Sequence, residues 1–425
     1  MIIKFTVGNF LSFKDKVSIS FAAKKGCKGH PEAVFETKIK GEGKFIKTAA
    51  IYGANASGKS NLIKAIKFFK YFLTEFRPTG EGEIKIPRVV EFLLSEQTEG
   101  KPSFFEAEIL LDEEVYIYGF EVSKKEVHAE WLKRKKGKKV FFERKKQKIE
   151  PARDFQKEAS KDVIAKTRED VLFLSNLAEF NVDLARKVRA EVLKVVILSG
   201  MTEEMQRFAI STYVDSSKYK EKMDEFMLEA DFGIKKIDAQ YGYIPAEEVF
   251  KNAPNEVKEF MQKVKINPAF QHQISSVHSK FNKDGKRVGD VLFDFRAMES
   301  EGTKRMFFIS AQFAKVLIEG GMLIIDEIDS ALHPILCKFI LKKFNSKEDN
   351  KKNAQLIFTT HDISFLHEDF LRKDQIWFVE KNKFEASEVF SLCDLGERDG
   401  VSYSKRYLEG RYGAIPYVKY LEGAE

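Results

Sequence analysis

The feature that most constrains this chain is the octapeptide GANASGKS at residues 53–60, which matches G-x-x-x-x-G-K-[ST]. A β-rich run at residues 45–52 precedes it, and Leu62, Ile66 and Phe69 follow it at helical spacing. Strand, loop and helix in this order are the context in which the pattern binds phosphate. The alternative is a glycine-rich turn that happens to carry a surface lysine, and the context favours the phosphate-binding loop.

Each fixed position of the pattern has a chemical reason. Gly53 and Gly58 let the backbone turn so that N–H groups face phosphate oxygens, next to the positive end of a helix. Lys59 can place its charge on the β- and γ-phosphates, and the Ser60 hydroxyl can ligate Mg²⁺. The loop therefore predicts binding of a nucleoside triphosphate, ATP, with Mg²⁺.

Two acids follow an apolar run, and a histidine follows another. Residues 322–325 read as a strand buried on both faces, and Asp326 and Glu327 come directly after it. Because ligands bind at the carboxyl ends of parallel strands, we expect Asp326 to hold Mg²⁺ and Glu327 to activate water. Acids at strand ends are often solvated caps, but the phosphate loop favours the functional interpretation. His361 closes the strand predicted at 355–360, where it can reach the γ-phosphate rather than serve a structural role.

The order of the predicted elements indicates an α/β protein. Strands and helices alternate from residue 303 to residue 380, which predicts parallel strands, whereas residues 104–149 predict an antiparallel meander. The middle of the chain is predicted to be mainly helical, with one strand-like break at 236–239 and helices at 183–198, 205–214, 219–230 and 246–262. The predicted domains are the first part of an ATPase head (1–150), a helical insertion (151–268) and the second part of the head (269–425).

The motif set resembles the ABC-type ATPase heads of the SMC, RecF and break-repair group. The loop with its asparagines Asn55 and Asn61 is similar to theirs, as is the opening strand that leads into GNFLSF at residues 8–13. The resemblance implies a Walker B role for Asp326 and a catalytic-base role for Glu327. It also implies a D-loop at Asp329 and a switch histidine at His361.

Residues 299–303, ESEGT, resemble the signature loop of these heads. They depart from it at Glu301 and Thr303 but retain Ser300 and Gly302. In that group the signature loop meets the nucleotide of the partner subunit. The resemblance therefore implies a homodimer with ATP between the heads, in which Ser300 and Gly302 complete the ATP site, and it leaves a higher oligomer possible.

Three segments are more similar to the OLD-like (overcoming-lysogenisation-defect) and abortive-infection branch: DEIDSALHP at 326–334, FTTHD at 358–362 and GRYGAIP at 410–416. That resemblance implies an anti-phage sensor or regulator that controls a nuclease or toxin effector. The sequence continues for 64 residues after His361, without the DxD pair of the Toprim nuclease that many relatives carry there. We therefore expect a separate effector protein.

Composition adds a location and one possible partner. Cys27, Cys337 and Cys393 form no CxxC, and neither a secretion signal nor a membrane span is visible, so a cytoplasmic location is expected. The formal net charge is +7, and residues 133–148 contain ten Lys or Arg against one acid, Glu143. This basic hairpin could contact nucleic-acid phosphates, although a solvated turn that protects an edge strand is the favoured interpretation.

Two other functions remain open from the sequence. A DNA-repair ATPase of the RecF or SMC type would act directly on DNA, but the middle of the chain lacks sustained heptads and contains Pro245 and Pro254. A protein that keeps ATP only as structural glue is disfavoured by the presence of Glu327.

Overall fold

The computed structural model describes residues 1–39, 43–78, 86–230, 232–244, 269–330, 332–367, 369–398 and 400–416. The predicted helix at 246–262 lies outside the described residues. By its internal contacts the chain divides into two compact units. Unit 1 contains residues 1–199, 316–330 and 337–425, and unit 2 contains residues 200–315 and 331–336.

The strands of the described residues, in chain order, are β1 (Ile2–Gly8), β2 (Val17–Ser20), β3 (Val34–Glu36), β4 (Lys44–Ile46), β5 (Thr48–Tyr52), β6 (Ser103–Leu111), β7 (Glu114–Val122), β8 (Val127–Arg134), β9 (Val140–Lys145), β10 (Lys148–Pro151), β11 (Val195–Ser199), β12 (Ile234–Ile244), β13 (Ala269–Phe281), β14 (Arg287–Asp294), β15 (Met322–Asp326), β16 (Gln355–Thr359), β17 (Ile376–Lys381) and β18 (Ser387–Ser391).

The α-helices of the same residues are α1 (Lys59–Thr74), α2 (Lys161–Ala165), α3 (Phe173–Glu179), α4 (Asp183–Leu193), α5 (Glu203–Asp215), α6 (Ser217–Glu229), α7 (Phe295–Met298), α8 (Glu301–Glu319), α9 (Pro334–Asn345) and α10 (Tyr403–Leu408). None of the described helices is long and apolar enough to cross a membrane.

Unit 1 contains a six-stranded sheet with the order β11-β15-β16-β5-β17-β18. Its neighbours pair in parallel, except β17 and β18, which pair antiparallel. A seven-stranded antiparallel sheet, β10-β9-β8-β7-β6-β1-β2, contains the predicted meander. The predicted α/β class is confirmed, and the parallel strands and the antiparallel meander form separate sheets.

Helix α1 belongs to the core that both sheets share. Its phenylalanines stack on strands of the antiparallel sheet: the ring centroids of Phe69 and Phe120 are 5.5 Å apart, and those of Phe68 and Phe105 are 4.9 Å apart. The same buried cluster includes Ile324 of the parallel sheet. A helix buried on more than one side needs apolar residues on more than one face, which explains the richness of α1 in Phe, Leu and Ile.

The segment predicted as one helix over residues 183–198 is two elements, which corrects that prediction. Helix α4 ends at Leu193, and Val195–Ser199 forms β11, which pairs in parallel with β15. A short apolar run of β-branched residues suits a helix or a buried strand equally well by pattern, and the open edge of β15 decides for the strand.

The unit boundaries differ from the predicted domain boundaries. Residues 151–199 lie in unit 1, because Leu177, Val188 and Val192 belong to the core cluster of that unit. Unit 2 combines α5, α6 and most of α8 with the antiparallel sheet β12-β13-β14, so its described part is not purely helical. Tyr213 and Phe307 pack in it with ring centroids 5.5 Å apart.

A buried ion pair fastens the segment after the meander to the antiparallel sheet. Arg144 and Glu130 have fully buried side chains with 3.5 Å between Nη1 and Oε2. Arg144 also donates to the carbonyl of Val171 (2.6 Å), and the Glu130 carboxylate accepts the backbone N–H groups of Phe173 (2.7 Å) and Leu174 (2.9 Å) at the start of α3. Each charge thus has several hydrogen bonds, as a buried ion pair requires.

Replacing Glu130 by Ala should destabilise the protein by about 3–5 kcal/mol, because Arg144 would stay buried without its carboxylate. The measurement is the free energy of unfolding from urea titration. Glu143→Ala is the matched control, since it breaks the partly exposed pair with Lys133 (2.6 Å) and should cost about 0.2–1 kcal/mol. Equal losses in the two variants would contradict the role assigned to the buried pair.

Candidate functional site

The loop between β5 and α1 is held in a tight turn that requires glycine. Gly58 has φ 115° and immediately precedes α1, and a Cβ there would lie 2.8 Å from the Ser12 hydroxyl and also overlap Ser387. A Cβ at Gly53 would lie 2.5 Å from the Ser57 hydroxyl. The steric need for glycine at both positions agrees with a loop that must bring its backbone close to a ligand.

Lys59 points back over this loop. Its side chain is 7% exposed, and Nζ donates to the carbonyls of Gly53 (2.7 Å) and Ala54 (3.1 Å). Burial lowers the pKa of the Lys59 ammonium, while the charges of Asp326, Glu327 and Asp329 act in the opposite direction. The ammonium therefore lies at the loop, in the field of the three acids at the carboxyl end of β15.

Thr359, at the end of β16, connects Asp326, the last residue of β15, with Glu327. Its hydroxyl donates to Asp326 Oδ1 (2.7 Å) and accepts the backbone N–H of Glu327 (2.7 Å). Glu327 has φ 56°, a conformation that is uncommon outside glycine and frequent at functional sites. Thr359 thus holds both the Asp326 carboxylate and the backbone turn that directs Glu327.

Asp329 and His361 are joined through the backbone. The N–H of His361 donates to Asp329 Oδ2 (3.1 Å), and the His361 side chain is exposed. The other carboxylate oxygen of Asp329, Oδ1, is buried without a hydrogen-bond partner in the described part of the chain. A buried carboxylate oxygen without a partner is unusual in a folded protein. The simplest explanation is that a polar group of a bound ligand donates the missing hydrogen bond. The strand that leads to His361 neighbours the acid-bearing strand, since β15 and β16 pair in parallel.

The predicted residues converge on a cleft of about 330 Å³. Its lining contains the predicted residues Asn55, Gly58, Lys59, Ser60, Asn61, Glu327 and His361. Gly53, Asp326 and Asp329 lie behind this lining and are linked to it through Lys59, Thr359 and His361. The geometry fits a triphosphate with its Mg²⁺, since a glycine cradle, an ammonium, a serine hydroxyl and carboxylates adjoin one cleft.

The remaining predicted pair, Ser300 and Gly302, belongs to unit 2. The Ser300 hydroxyl accepts the backbone N–H of Thr303 (3.1 Å) and contacts the Thr303 hydroxyl (2.8 Å). Ser300 therefore caps the amino end of α8. This cap accounts for a serine at the position, and the role of Ser300 toward a nucleotide stays a prediction.

Sequence reasoning missed several residues of the site. Ser12, Lys64 and Lys381 also line the cleft, and the Ser12 hydroxyl accepts from the Asn61 side chain (2.9 Å). Ser387 donates its hydroxyl to the carbonyl of Ser57 (2.6 Å) and so supports the loop from β18. The run of residues 8–13 contained a signal for Ser12, but nothing near Ser387 indicates the contact, because the two partners are 330 positions apart.

The basic hairpin carries more ion pairs than its sequence suggests. Carboxylates outside residues 133–148 pair with Lys135, Lys139, Arg144, Lys146 and Lys148, and Glu143 pairs with Lys133. These contacts reduce the local excess of positive charge. Nucleic-acid binding by this hairpin stays a prediction.

Comparison with known proteins identifies one family. The profile described as "AAA domain, putative AbiEii toxin, Type IV TA system" matches residues 49–367. No curated protein shows a significant match to the chain.

The fold is also similar to solved SMC head structures. An SmcHead bound to the C-winged helix domain of ScpA is 17% identical with a TM-score of 0.48, over 92% of this chain and 97% of the other. The SMC head domain from Thermotoga maritima is 14% identical with a TM-score of 0.40, over 92% and 98%. An Smc head from Pyrococcus furiosus, with an extended coiled coil and bound to the C-terminal domain of ScpA, is 16% identical with a TM-score of 0.42, over 97% and 99%.

Replacing Thr359 by Val should slow ATP hydrolysis by about 10- to 100-fold, because the Asp326 carboxylate and the N–H of Glu327 both lose their partner. ATP binding should change little, since Thr359 does not line the cleft. The measurement is the separation of kcat from KM, with Thr359→Ser as the control that keeps the hydroxyl. A loss confined to KM, or an equal loss in the serine variant, would contradict this positioning role.

Proposed function

The chain belongs to the AAA domain family described as putative AbiEii toxin of a type IV toxin–antitoxin system, and we propose that it is a Mg-ATP-hydrolysing switch. The observation that carries the proposal is the approach of Lys59, Ser60, Glu327 and His361 to one cleft beside Asp326. These side chains come from three parallel strand ends, and together they provide the parts that phosphoryl transfer needs.

In the proposed binding mode, the loop backbone and Lys59 bind the triphosphate. For this, Lys59 must exchange its present contacts with the carbonyls of Gly53 and Ala54 for phosphate oxygens. Ser60 and Asp326 are the residues that would hold Mg²⁺, which supplies positive charge against the phosphates when it is bound. Asn55 and Asn61 flank the same cleft and are assigned to nucleotide binding.

Glu327 is the proposed general base. Its backbone is held by Thr359 at the edge of the cleft, which places a carboxylate where a water molecule could be oriented and deprotonated. His361 is the proposed γ-phosphate sensor, since its ring is exposed at the cleft while its N–H is held by Asp329. Loss of the γ-phosphate would change the position of His361, and the hydrogen bond from its N–H would transmit this change to Asp329.

The dimer is the second part of the proposal. Two chains would enclose ATP between the cleft of one subunit and Ser300 and Gly302 of the other, in an isologous arrangement. Binding of ATP then favours the closed dimer by its higher affinity for that state, and hydrolysis releases it. The rate of ATP hydrolysis by such a slow ATPase would set the lifetime of the closed dimer.

Glu327→Gln should retain ATP binding, lower hydrolysis by at least about 100-fold and trap an ATP-bound dimer. Light scattering should then show a doubled mass with Mg-ATP. Glu348→Gln is the control, because it makes the same charge change at an exposed residue outside the cleft. A Glu327→Gln protein that stays monomeric in saturating Mg-ATP would rule out the dimer, and one that still hydrolyses ATP at the normal rate would rule out the base.

The biological role proposed for the switch is regulation of a separate anti-phage effector, a nuclease or a toxin. The family description contains the words AbiEii toxin and Type IV TA system, and these words support a role linked to a toxin. Direct action on DNA, as in a repair ATPase, is the competing function.

A tagged chain should co-purify a second protein, in an amount that differs between Mg-ATP and Mg-ADP. Glu327→Gln should also abolish protection of cells from phage. Protection that persists without ATP turnover would indicate that ATP is structural glue. A nucleotide-dependent affinity for DNA ends or gaps, with no protein partner, would favour the repair function.

A further inference from the structure

Unit 1 has a second and larger cleft at the opposite end of its parallel sheet. Lys47 immediately precedes β5, Asn353 precedes β16 and Arg372 precedes β17, and all three line a cleft of about 1150 Å³. The nucleotide cleft adjoins the carboxyl ends of these strands. Because a five-residue strand spans about 17 Å, the two clefts are separate sites.

Basic side chains dominate the lining of this second cleft. It contains Lys24, Lys25, Lys28, Lys44, Lys47, Lys347 and Arg372, with Glu36 as the one acidic residue among the described lining residues. Several of these charges are compensated. Lys44 pairs with Glu36 (2.6 Å), Arg372 pairs with Asp374 (2.9 Å), and Lys24 pairs with Asp394.

Four lysines of the cleft are not compensated in this way. Lys25, Lys28, Lys47 and Lys347 form no ion pair with any carboxylate in the part of the chain that the structure describes. Like charges that share a cleft repel one another, and an anion bound among them relieves this repulsion.

Lys47 is the buried member of this set. Its side chain is 1% exposed, and Nζ donates to the carbonyl of Asn345 (2.9 Å), which holds the ammonium at the cleft. Burial, together with the charge of Lys347, lowers the pKa of Lys47 to about 8, while the Glu32 carboxylate acts in the opposite direction. The protein thus keeps a buried ammonium near that of Lys347, and no carboxylate of the described residues forms an ion pair with either.

We infer that this cleft binds a small organic compound with two or more phosphate groups. A phosphate monoester carries up to about two negative charges, so two or three such groups match four ammonium groups within one cleft better than single carboxylates do. Lysine binds phosphate as a point charge. Ala22, Val34 and Phe35 provide an apolar wall for the organic part, and the volume lies just above the range of about 300–1,000 Å³ typical of small-molecule sites.

Inorganic tripolyphosphate is the probe for this site, titrated calorimetrically into the full chain with and without saturating Mg-ADP in the nucleotide cleft. With Mg-ADP present, one tripolyphosphate should still bind per chain. The double variant Lys28→Glu with Lys347→Glu should weaken that binding at least tenfold. ATP hydrolysis should be retained, because neither lysine lines the nucleotide cleft.

Lys136→Glu with Lys138→Glu is the matched control, because it makes the same change in net charge at exposed lysines of unit 1 outside both clefts. This control should bind tripolyphosphate like the unaltered protein, and the thermal unfolding midpoints of all three proteins should agree. Absence of a site once Mg-ADP is bound, or equal weakening in both double variants, would overturn the inference. So would a result in which a single-stranded oligonucleotide binds through Lys28 and Lys347 while tripolyphosphate does not.

Discussion

The site depends on the parallel pairing of β15, β16 and β5. In this register Ile325 lies opposite Phe358, and Phe358 lies opposite Ala50, so three strands end at one edge of the sheet. The acids, His361 and the phosphate loop follow these ends directly. One residue of slip in β16 would move Thr359 away from Asp326 and separate the acids from the hydroxyl that positions them.

The burial of α1 is the second condition for the site. The helix that begins at Lys59 is packed by Phe68 and Phe69 against the antiparallel sheet, and its core cluster includes residues of the parallel sheet. Its amino end is therefore set by apolar packing over several turns. A phosphate loop on such a helix has little freedom, which suits a site that must be formed before the ligand arrives.

The two ends of the parallel sheet carry different electrostatics. At the carboxyl ends, Lys59 faces three acids, so the site contains charges of both signs. At the amino ends, one cleft holds Lys25, Lys28, Lys47 and Lys347, which form no ion pair with a carboxylate of the described residues. The first arrangement suits a metal–triphosphate complex, and the second suits an anion alone. Because the sheet separates the two clefts, a mutation can alter one cleft and leave the other unchanged.

Most of the proposed nucleotide site could be predicted from the sequence, because its signals are local. Gly58, Lys59 and Ser60 sit in one short pattern, and Asp326, Glu327 and His361 follow strands whose apolar runs are evident. The sequence contains no signal for the role of Thr359, because a threonine at a strand end is common. Its importance comes from the neighbouring strand, where its hydroxyl meets both Asp326 and Glu327. The prediction of helix for residues 195–198 is wrong, because an apolar run fits either pattern until a partner strand is known.

The sequence by itself determined the α/β class, the phosphate loop and the chemistry of the residues that follow each strand, since these depend on spacing along the chain. Only the tertiary structure decided which distant residues support them. Ser387 binds the loop although it is 330 positions from Ser57, and residues 151–199 join the core of unit 1. The lysines of the second cleft come from the first 50 residues and from residue 347. Such contacts depend on strand order and burial, which long-range packing sets and local periodicity does not encode.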